Sequence, residues 1–183
     1  MIFEKKMIHL KDGRICTLRP VEEKDAEAMI EYLRMVSAET PFLLRNEDEV
    51  TYTVDAEEQL LKNKRNALRE MMMVAEVEGV IAGNCGIVSS GNLRRVAHRC
   101  GFAIALKEAY WNLGIGSAMM DYAFSLAKEI GYEQMELEVV EGNTRAKSLY
   151  ERFGFIETGK NVRALKYDDG SYRDESKMMK SLI

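Results

Sequence analysis

The sequence contains few of the residues that build metal sites, disulfides or membrane spans. Its 183 residues include three cysteines, two histidines, two prolines and one tryptophan. The cysteines lie far apart and form no C-x-x-C pair, so we expect neither a structural metal site nor a disulfide framework. No apolar run reaches the about 18 residues of a membrane span, and the amino-terminal segment lacks the apolar core of a signal peptide. These absences predict a cytoplasmic protein that uses no metal and does not act at a membrane.

Basic residues are not in excess either. The chain has 26 Lys and Arg against 30 Asp and Glu, a net charge of −4. Binding to a nucleic acid depends on a basic surface that neutralises phosphates, so we expect no nucleic-acid partner. A hydrophobic fraction of 46% is ordinary for a globular protein and sufficient for one core. The length fits a single domain, which we place at residues 1–183.

The hydrophobic pattern predicts strands and helices that alternate along the whole chain. The last strand before residue 110, the following helix and the next strand form a β-α-β unit, whose two strands should be parallel. The remaining strands form hairpins, so the predicted fold is α/β (α+β) with a mixed, mostly antiparallel sheet. We expect strands at 14–19, 71–77, 80–88, 96–106, 134–140, 155–166 and 172–182. We expect helices at 24–37, 55–68, 115–130 and from Asn143. The helix at 55–68 should begin with a capping box of Asp55 and Glu58.

Two glycines lie where the fourth of these strands, 96–106, turns into a helix, in W-N-L-G-I-G-S (111–117). Glycines at the start of a helix let backbone N–H groups approach an anion, and the helix dipole assists. A turn that simply requires glycine explains the pattern equally well, so both interpretations stay open. The dinucleotide-binding pattern fails because Met119 stands at its third glycine. The P-loop pattern fails because no Lys-Ser/Thr follows Gly116.

Polar side chains after this helix carry three further signals. Glu136 and Glu138 share one face of a strand that we expect to be internal, which indicates either a cleft or an exposed face. Repulsion between them should raise the pKa of one carboxylate. Asn143 is a good helix cap by residue type. Tyr150 lies on the apolar stripe of the short helix, which favours a place in the core, and His98 shows no partner cluster for a metal.

Taken together, G-F-A-I-A-L-K-E-A-Y-W-N-L-G-I-G-S-A-M-M and E-L-E-V-V-E-G-N-T-R-A-K-S-L-Y-E-R-F-G-F resemble the GNAT superfamily of acetyl-CoA-dependent N-acetyltransferases. The resemblance extends to L-R-P-V-E-E-K-D-A near the start and G-S-Y-R-D-E-S-K-M-M-K near the end, and covers nearly the whole chain. The nearest branch holds the ribosomal-protein N-terminal, small-amine and amino-acid acetyltransferases. The resemblance implies a mostly antiparallel central sheet with helices on both faces.

The resemblance also implies roles for individual residues. Tyr150 matches the tyrosine that contacts the cofactor and protonates the departing thiolate, and Glu138 matches the general base of the ribosomal-protein alanine acetyltransferases. The family loop usually carries a basic side chain before its first glycine, whereas Trp111 and Leu113 occupy those places here. The matching acetyl-CoA-binding positions are Ile104, Ala105 and Leu106 (pantetheine and thioester), Asn112, Leu113, Gly114, Ile115, Gly116 and Ser117 (pyrophosphate), and Asn143.

The implied reaction is acetyl transfer from acetyl-CoA to a primary amine in a ternary complex, without a metal or a protein nucleophile. The amine belongs to a small molecule, an amino acid or a protein N-terminus, and we expect Phe42, Leu43 and the final hairpin to line its site. An acyltransferase that uses a longer acyl-CoA, and a catalytically silent module that binds acetyl-CoA, are the alternatives. The oligomeric state stays open, with a homodimer as one alternative.

Overall fold

The computed structural model describes all residues, Met1–Ile183, as eight strands and four α-helices. Short 3₁₀ turns lie at Glu23–Asp25, Glu47–Glu49 and Glu108–Tyr110. The strands are β1 Lys6–His9, β2 Ile15–Pro20, β3 Met71–Val77, β4 Val80–Ser89, β5 Arg99–Leu106, β6 Gln134–Val140, β7 Ile156–Lys166 and β8 Tyr172–Ser181. The helices are α1 Ala26–Glu39, α2 Val54–Asn66, α3 Ile115–Ile130 and α4 Thr144–Arg152.

The strands follow the order β1-β2-β3-β4-β5-β6-β8-β7, and β5 pairs with β6 in parallel. The predicted mixed, mostly antiparallel sheet with one parallel pair is therefore confirmed. The chain forms two compact units: unit 1 contains residues 1–88 and 103–126, and unit 2 contains residues 89–102 and 127–183. The single domain over residues 1–183 stays a prediction. No helix combines the length and the apolar character that a membrane span requires.

Two local expectations were wrong. The predicted strands do not include β1, because the short strand K-M-I-H is mostly exposed and shows no alternation of apolar and polar residues. Helix α2 is capped by Thr53 rather than by Asp55, since the Thr53 hydroxyl accepts a hydrogen bond from the Ala56 N–H at 3.2 Å. Either residue type can cap a helix, and the apolar pattern alone does not select between positions two residues apart.

The core of unit 1 lies where α1 and α2 pack against β3 and β4. Antiparallel pairing sets Leu18 opposite Ala75 and Met73 opposite Cys85. Side chains from α1 and α2 fill the space above these strands, and Leu43 packs against them from the loop after α1. The buried members of this cluster are Val21, Ala26, Met29, Tyr32, Val36, Leu61, Val74 and Ile81.

A buried ionic network joins β2 and β3 to the start of α1. The Arg19 guanidinium donates to both carboxylate oxygens of Asp25, at 2.7 and 2.9 Å, and to Glu76 at 2.7 and 2.9 Å. Asp25 also accepts the Glu22 backbone N–H at 2.8 Å. Buried charges are tolerated when they are paired and hydrogen-bonded in this way, so the network belongs to the framework of unit 1.

Unit 2 is built on β6. Cys100 of β5 lies opposite Met135 in the parallel pair, and Leu137 lies opposite Met178 of β8 in an antiparallel pair. The β7–β8 hairpin ends the sheet, and β7 is exposed along almost its whole length. Helix α4 packs Tyr150 against the ring of Phe155 with a centroid distance of 5.8 Å.

Candidate active site

In unit 1 the carboxyl end of β5 is held by two side-chain hydrogen bonds. The Tyr32 hydroxyl donates to the Ala105 carbonyl at 2.9 Å, and the Trp111 indole N–H donates to the Leu106 carbonyl at 2.8 Å. On β4, a Cβ at Gly83 would lie 2.6 Å from the Leu106 side chain, so only glycine permits this close approach. The predicted pantetheine segment, Ile104 to Leu106, is therefore fixed in position.

Sequence reasoning missed the roles of Tyr32 and Trp111. The sequence identifies Trp111 only as a departure from the basic residue that is usual near the glycine loop, whereas its indole connects that loop to β5. A single tryptophan beside a glycine turn is the one available signal, and it does not reveal the bond partner. Tyr32 lies more than 70 residues before Ala105, and nothing in the local pattern joins the two.

The glycine loop opens α3 with unusual backbone conformations. Asn112 and Gly114 have φ values of 64° and 98°, and α3 begins at the next residue, Ile115. The Leu113 carbonyl accepts the Lys11 N–H at 3.3 Å, which anchors the loop to the turn after β1. A Cβ at Gly114 would meet nothing within 4 Å, so this side of the loop is open. The loop therefore fits an anion at the start of a helix, as a cofactor pyrophosphate requires.

In unit 2, Asn143 and Tyr150 lie on α4. The Asn143 side-chain oxygen accepts the Ala146 N–H at 3.2 Å, which confirms the predicted cap. Tyr150 is 6% exposed, and its hydroxyl has no hydrogen-bond partner in the protein. Burial raises the pKa of Tyr150 to about 12, so its hydroxyl carries a proton at neutral pH. Tyr150 thus has the burial expected of a core residue, while its unpartnered hydroxyl is not fully buried.

Repulsion between Glu136 and Glu138 was expected to raise the pKa of one carboxylate. For Glu136 this expectation is wrong, because its pKa is lowered. The Arg99 guanidinium donates to both Glu136 oxygens at 2.5 and 2.7 Å, and this pairing holds the pKa of Glu136 below its usual value, with help from the Gln134 amide. Arg99 lies on β5, which pairs with β6 in parallel, so its role follows from strand pairing rather than from the local sequence.

Glu138 is exposed and has different neighbours. It accepts the Asn161 side-chain N–H from β7 at 2.9 Å. Burial raises the pKa of Glu175 on β8, and the Glu138 charge raises it further. Glu138 therefore belongs to a polar group with Asn161 and Glu175, two residues that sequence reasoning did not identify.

The thiols are poor candidates for chemistry. All three cysteines are buried and reduced. Burial, followed by the charge of Glu76, raises the pKa of Cys16 to about 11, and burial raises the pKa of Cys85 well above that of a free thiol. Since the thiolate is the nucleophilic form, neither thiol is activated. No group of three or more His, Cys, Asp or Glu side chains could hold a metal ion.

The mixed sheet with one parallel pair and the open glycine loop fit a transferase that uses an acyl-CoA. Comparison with protein families gives the particular group: residues 30–155 match the Acetyltransferase (GNAT) family, and the chain belongs to this family. The chain is therefore an acetyl-CoA-dependent acetyltransferase, as the resemblance predicted. No curated protein matches the sequence at a significant level.

Solved structures agree with this assignment. An acetyltransferase of the GNAT family from Streptococcus pneumoniae is 29% identical, with a TM-score of 0.85 over 91% of this chain and 99% of that one. The yncA protein of Salmonella typhimurium, solved with its cofactor acetyl-CoA, is 18% identical (TM-score 0.79; 92% and 94% covered). A ribosomal-protein-alanine N-acetyltransferase from Brucella melitensis is 21% identical (TM-score 0.78; 90% and 98% covered). The similarities to the Salmonella and Brucella proteins show the shared fold.

Proposed function

We propose that this acetyltransferase transfers the acetyl group of acetyl-CoA directly to a primary amine in a ternary complex. Family membership establishes acetyl transfer from acetyl-CoA in general. The observation that carries the finer proposal is Tyr150, a residue only 6% exposed whose hydroxyl has no hydrogen-bond partner in the protein, on a helix capped by Asn143. Such a hydroxyl is protonated and free to donate to a departing thiolate.

The chain's own backbone binds the cofactor in this proposal. The amides of Asn112 to Ser117, including those of Leu113, Ile115 and Gly116, hold the pyrophosphate at the start of α3, and Asn143 contacts the cofactor from α4. Ile104, Ala105 and Leu106 pair with the pantetheine arm. The open space beside Gly114 and the fixed end of β5 support this arrangement. The loop lacks a basic side chain of its own, so backbone N–H groups supply most of the attraction.

The proposed chemistry moves three protons. Glu138 takes a proton from the acceptor ammonium, directly or through a water, and general-base assistance of this kind is worth roughly 10²–10⁴-fold. The free amine then attacks the thioester carbonyl, and the oxyanion forms beside the Leu106 N–H, a contact worth about 3–4 kcal/mol. When the C–S bond breaks, Tyr150 gives its proton to the sulfur. The nitrogen of the intermediate loses its second proton to the tyrosinate, which completes the amide and restores Tyr150.

Proton transfer from Tyr150 has to accompany the breaking of the C–S bond. The pKa of Tyr150 is about 12, whereas an ordinary thiol has a pKa of about 8.5, so tyrosinate is a stronger base than the thiolate. The transfer therefore goes forward because the tyrosinate regains a proton from the acceptor nitrogen. A transfer before bond cleavage would be strongly uphill, since sulfur in an intact thioester is a very weak base. The raised thiol pKa values of Cys16 and Cys85 support direct transfer rather than a route through an acetylated cysteine.

The partners follow from charge and exposure. The net charge of −4 supports an amine acceptor and argues against a nucleic acid, and we place the protein in the cytoplasm, away from membranes. Phe42 and Leu43 line the acceptor site in this proposal.

For the oligomeric state we propose a homodimer, because β7 ends the sheet as a long exposed strand on which Ile156 and Val162 are 62% and 73% exposed.

The proposal is tested by measuring release of free CoA thiol from acetyl-CoA with a panel of amino acids, alkylamines and peptides. We expect amine-dependent thiol release and an N-acetylated product in mass spectrometry. Faster reaction with propionyl-CoA or a longer acyl-CoA would replace acetyl transfer by the acyltransferase alternative. Acetyl-CoA binding in calorimetry with no turnover on any amine would indicate the silent binding module and overturn the proposal.

A further inference from the structure

Glu136 and Glu138 share one face of β6, but their oxygens are engaged differently. Both oxygens of Glu136 accept from Arg99, and the Gln134 amide donates to one of them at 2.6 Å. Glu138 accepts one hydrogen bond, from the Asn161 side-chain N–H to Oε1 at 2.9 Å, and its Oε2 has no hydrogen-bond or ion-pair partner in the protein. A general base needs an oxygen that can take up a proton, and Glu138, unlike Glu136, keeps one.

The hydrogen bond between Asn161 and Glu138 passes over a whole strand. In the sheet β8 lies between β6 and β7, with Lys177 opposite Glu138 and Glu175 opposite Asn161. Neighbouring strands are about 4.8 Å apart, so β6 and β7 are about 10 Å apart, and the two side chains meet above β8. Lys177 forms no ion pair with Glu138 although it lies opposite. Asn161 is therefore the residue that holds the Glu138 carboxylate.

A bulge in β7 fixes the position of Asn161. Between Asn161 and Leu165, β7 has three residues where β8 has one, Asp174. Arg163 in this bulge has a φ of 53°, and its backbone N–H donates to Asp174 at 2.8 Å. The Lys160 ammonium pairs with the other oxygen of Asp174 at 3.0 Å. A bulge bends its strand and redirects the neighbouring side chains, so Asp174 holds the bend that brings Asn161 over β8.

The Asn161 amide is oriented by two carboxylates, those of Glu138 and Glu175. Burial raises the pKa of Glu175, the charge of Glu138 raises it further, and a hydrogen bond from Asn161 opposes both effects. An amide nitrogen has two N–H donors, whereas an ionised carboxylate only accepts, so the nitrogen of the amide and not its oxygen faces the two acids. Asn161 therefore presents an N–H to Glu138 in a defined direction.

We propose that Asn161 is a positioning residue for proton removal from the acceptor: it holds Glu138 through Oε1 and leaves Oε2 free to take the proton. This inference rests on the proposed role of Glu138. An N–H bond of the acceptor ammonium breaks, its electron pair stays on the nitrogen, and the proton bonds to Oε2. Glu138 is exposed and then releases the proton to water.

A neutral donor suits this task better than a charged one. Hydrogen bonds from a guanidinium to a carboxylate are roughly twice as strong as neutral ones, and they stabilise the ionised form that a base has to give up. Arg99 holds the pKa of Glu136 below its usual value in this way. Asn161 carries no charge, so it orients Glu138 and leaves it able to accept a proton.

The test is a double-mutant cycle between Asn161 and Glu138. Asn161→Leu removes the donor and nearly keeps the size of the side chain. In amine-dependent thiol release its kcat should fall by about tenfold or more, as expected for a hydrogen bond to a charged group. The KM for acetyl-CoA and the melting temperature should not change. In a Glu138→Gln background the same substitution should have no further effect, because the base that it positions is already lost.

Two further variants separate positioning from a structural role. Asn161→Gln keeps an amide donor and should recover part of the activity that Asn161→Leu loses. Gln59→Leu is the control, because it removes an exposed amide donor that bonds to Asn63 at 2.9 Å on α2, and it should keep its turnover. If Asn161→Leu does not fold, Asn161→Asp keeps the shape without the donor and takes its place. An unchanged kcat at position 161, or the same loss with and without Glu138, would overturn the inference.

A measurement without turnover separates this inference from the proposed function. The side-chain NH₂ signals of Asn161 in ¹H–¹⁵N NMR should move in Glu138→Gln and change far less in Glu136→Gln. If Glu138→Gln leaves these signals in place, the inference fails and acetyl transfer to an amine is unaffected. If the signals move but no amine is acetylated, the proposed function fails and the inference fails with it. If amines are acetylated at the normal rate by Glu138→Gln, the inference alone fails.

Discussion

Two buried carboxylates in unit 1, those of Asp25 and Glu57, have different surroundings and opposite pKa shifts. Asp25 is 6% exposed and Glu57 is 4% exposed, and both lie at the start of a helical segment. Burial alone would raise the pKa of Asp25, but hydrogen bonds from Arg19 and from the Glu22 backbone hold it below its usual value. Burial raises the pKa of Glu57, and the charge of Arg45 opposes this only in part.

Asp25 and Glu57 thus differ in whether the protein supplies hydrogen-bond and ion-pair partners for the carboxylate. Asp25 has all its partners within the chain and serves the framework. Glu57 has no hydrogen-bond or ion-pair partner, and only the charge of Arg45 favours its ionised form. In unit 2, Tyr150 resembles Glu57 in this respect, since the residue is buried and its hydroxyl has no hydrogen-bond partner in the protein. A substitution at a satisfied group should therefore cost stability, and a substitution at an unsatisfied group should not.

Tyr150→Phe gives the largest expected effect on function. It removes only the hydroxyl, so turnover on acetyl-CoA should fall by roughly 10²–10⁴-fold, while acetyl-CoA affinity and melting temperature barely change. The loss should be smaller for an acyl donor whose leaving thiol is more acidic, because that thiolate needs less protonation.

Tyr32→Phe is the comparison for Tyr150→Phe, because the Tyr32 hydroxyl, unlike that of Tyr150, donates a hydrogen bond to the Ala105 carbonyl. That variant should lose about 1–3 kcal/mol of stability by leaving a carbonyl unsatisfied. Near-normal turnover in Tyr150→Phe would show that Tyr150 has only a structural role in the core.

Arg19→Met breaks the satisfied network and should have the largest effect on stability. It leaves Asp25 buried without its cation, which should cost about 3–5 kcal/mol in urea unfolding. Arg14→Met is the control, because Arg14 pairs with Asp12 at 2.7 Å on the surface and such a pair contributes about 0–1 kcal/mol. Equal losses in the two variants would remove the distinction between buried and exposed pairs.

Glu138→Gln tests an exposed carboxylate. Turnover should fall by roughly 10²-fold, most at low pH where the acceptor amine is charged, and the melting temperature should hold because Glu138 is exposed. Glu136→Gln is the matched variant on the same strand face and should keep its turnover, since Glu136 serves the pair with Arg99. Wild-type turnover of Glu138→Gln across pH would assign proton removal to water.

Glu57→Met should give the smallest effect, a gain in stability of about 1–3 kcal/mol at pH 7. Because the pKa of Glu57 is raised in the folded protein, the folded state holds its proton at pH values where the unfolded state has lost it. The wild type therefore loses stability as pH rises through that window, which begins near a pKa of about 4.3 for the unfolded chain.

Urea unfolding at several pH values checks this sign. The gain in Glu57→Met should be full above the raised pKa and should shrink as pH falls below it. Asp25→Asn should behave oppositely, with a loss of stability that is full above a pKa of about 3.9 for the unfolded chain and fades as pH falls through the lowered folded value. A Glu57→Met variant less stable than wild type at pH 7 would show that Glu57 supports the fold.

Much of the fold was predictable because its signals are local. The apolar period marks α3, the alternation of Met135, Leu137 and Val139 marks β6, and Asn143 caps α4 as its residue type suggests. The β-α-β arrangement predicted a parallel pair, and β5 and β6 form it. The candidate site was reachable only through the joint pattern of the glycine loop and N-T-R-A-K-S-L-Y, since each signal has an ordinary structural explanation.

The sequence by itself determined the order of the elements, the family and the residue types available for chemistry, because these depend on period, spacing and composition. The tertiary structure alone decided which polar groups are satisfied. Arg99 reaches Glu136 across a strand pair, Tyr32 of α1 reaches Ala105 of β5, and Glu57 reaches no partner. Partners of this kind lie tens of residues apart in the chain, and the energy of a buried charge depends on their distance in space.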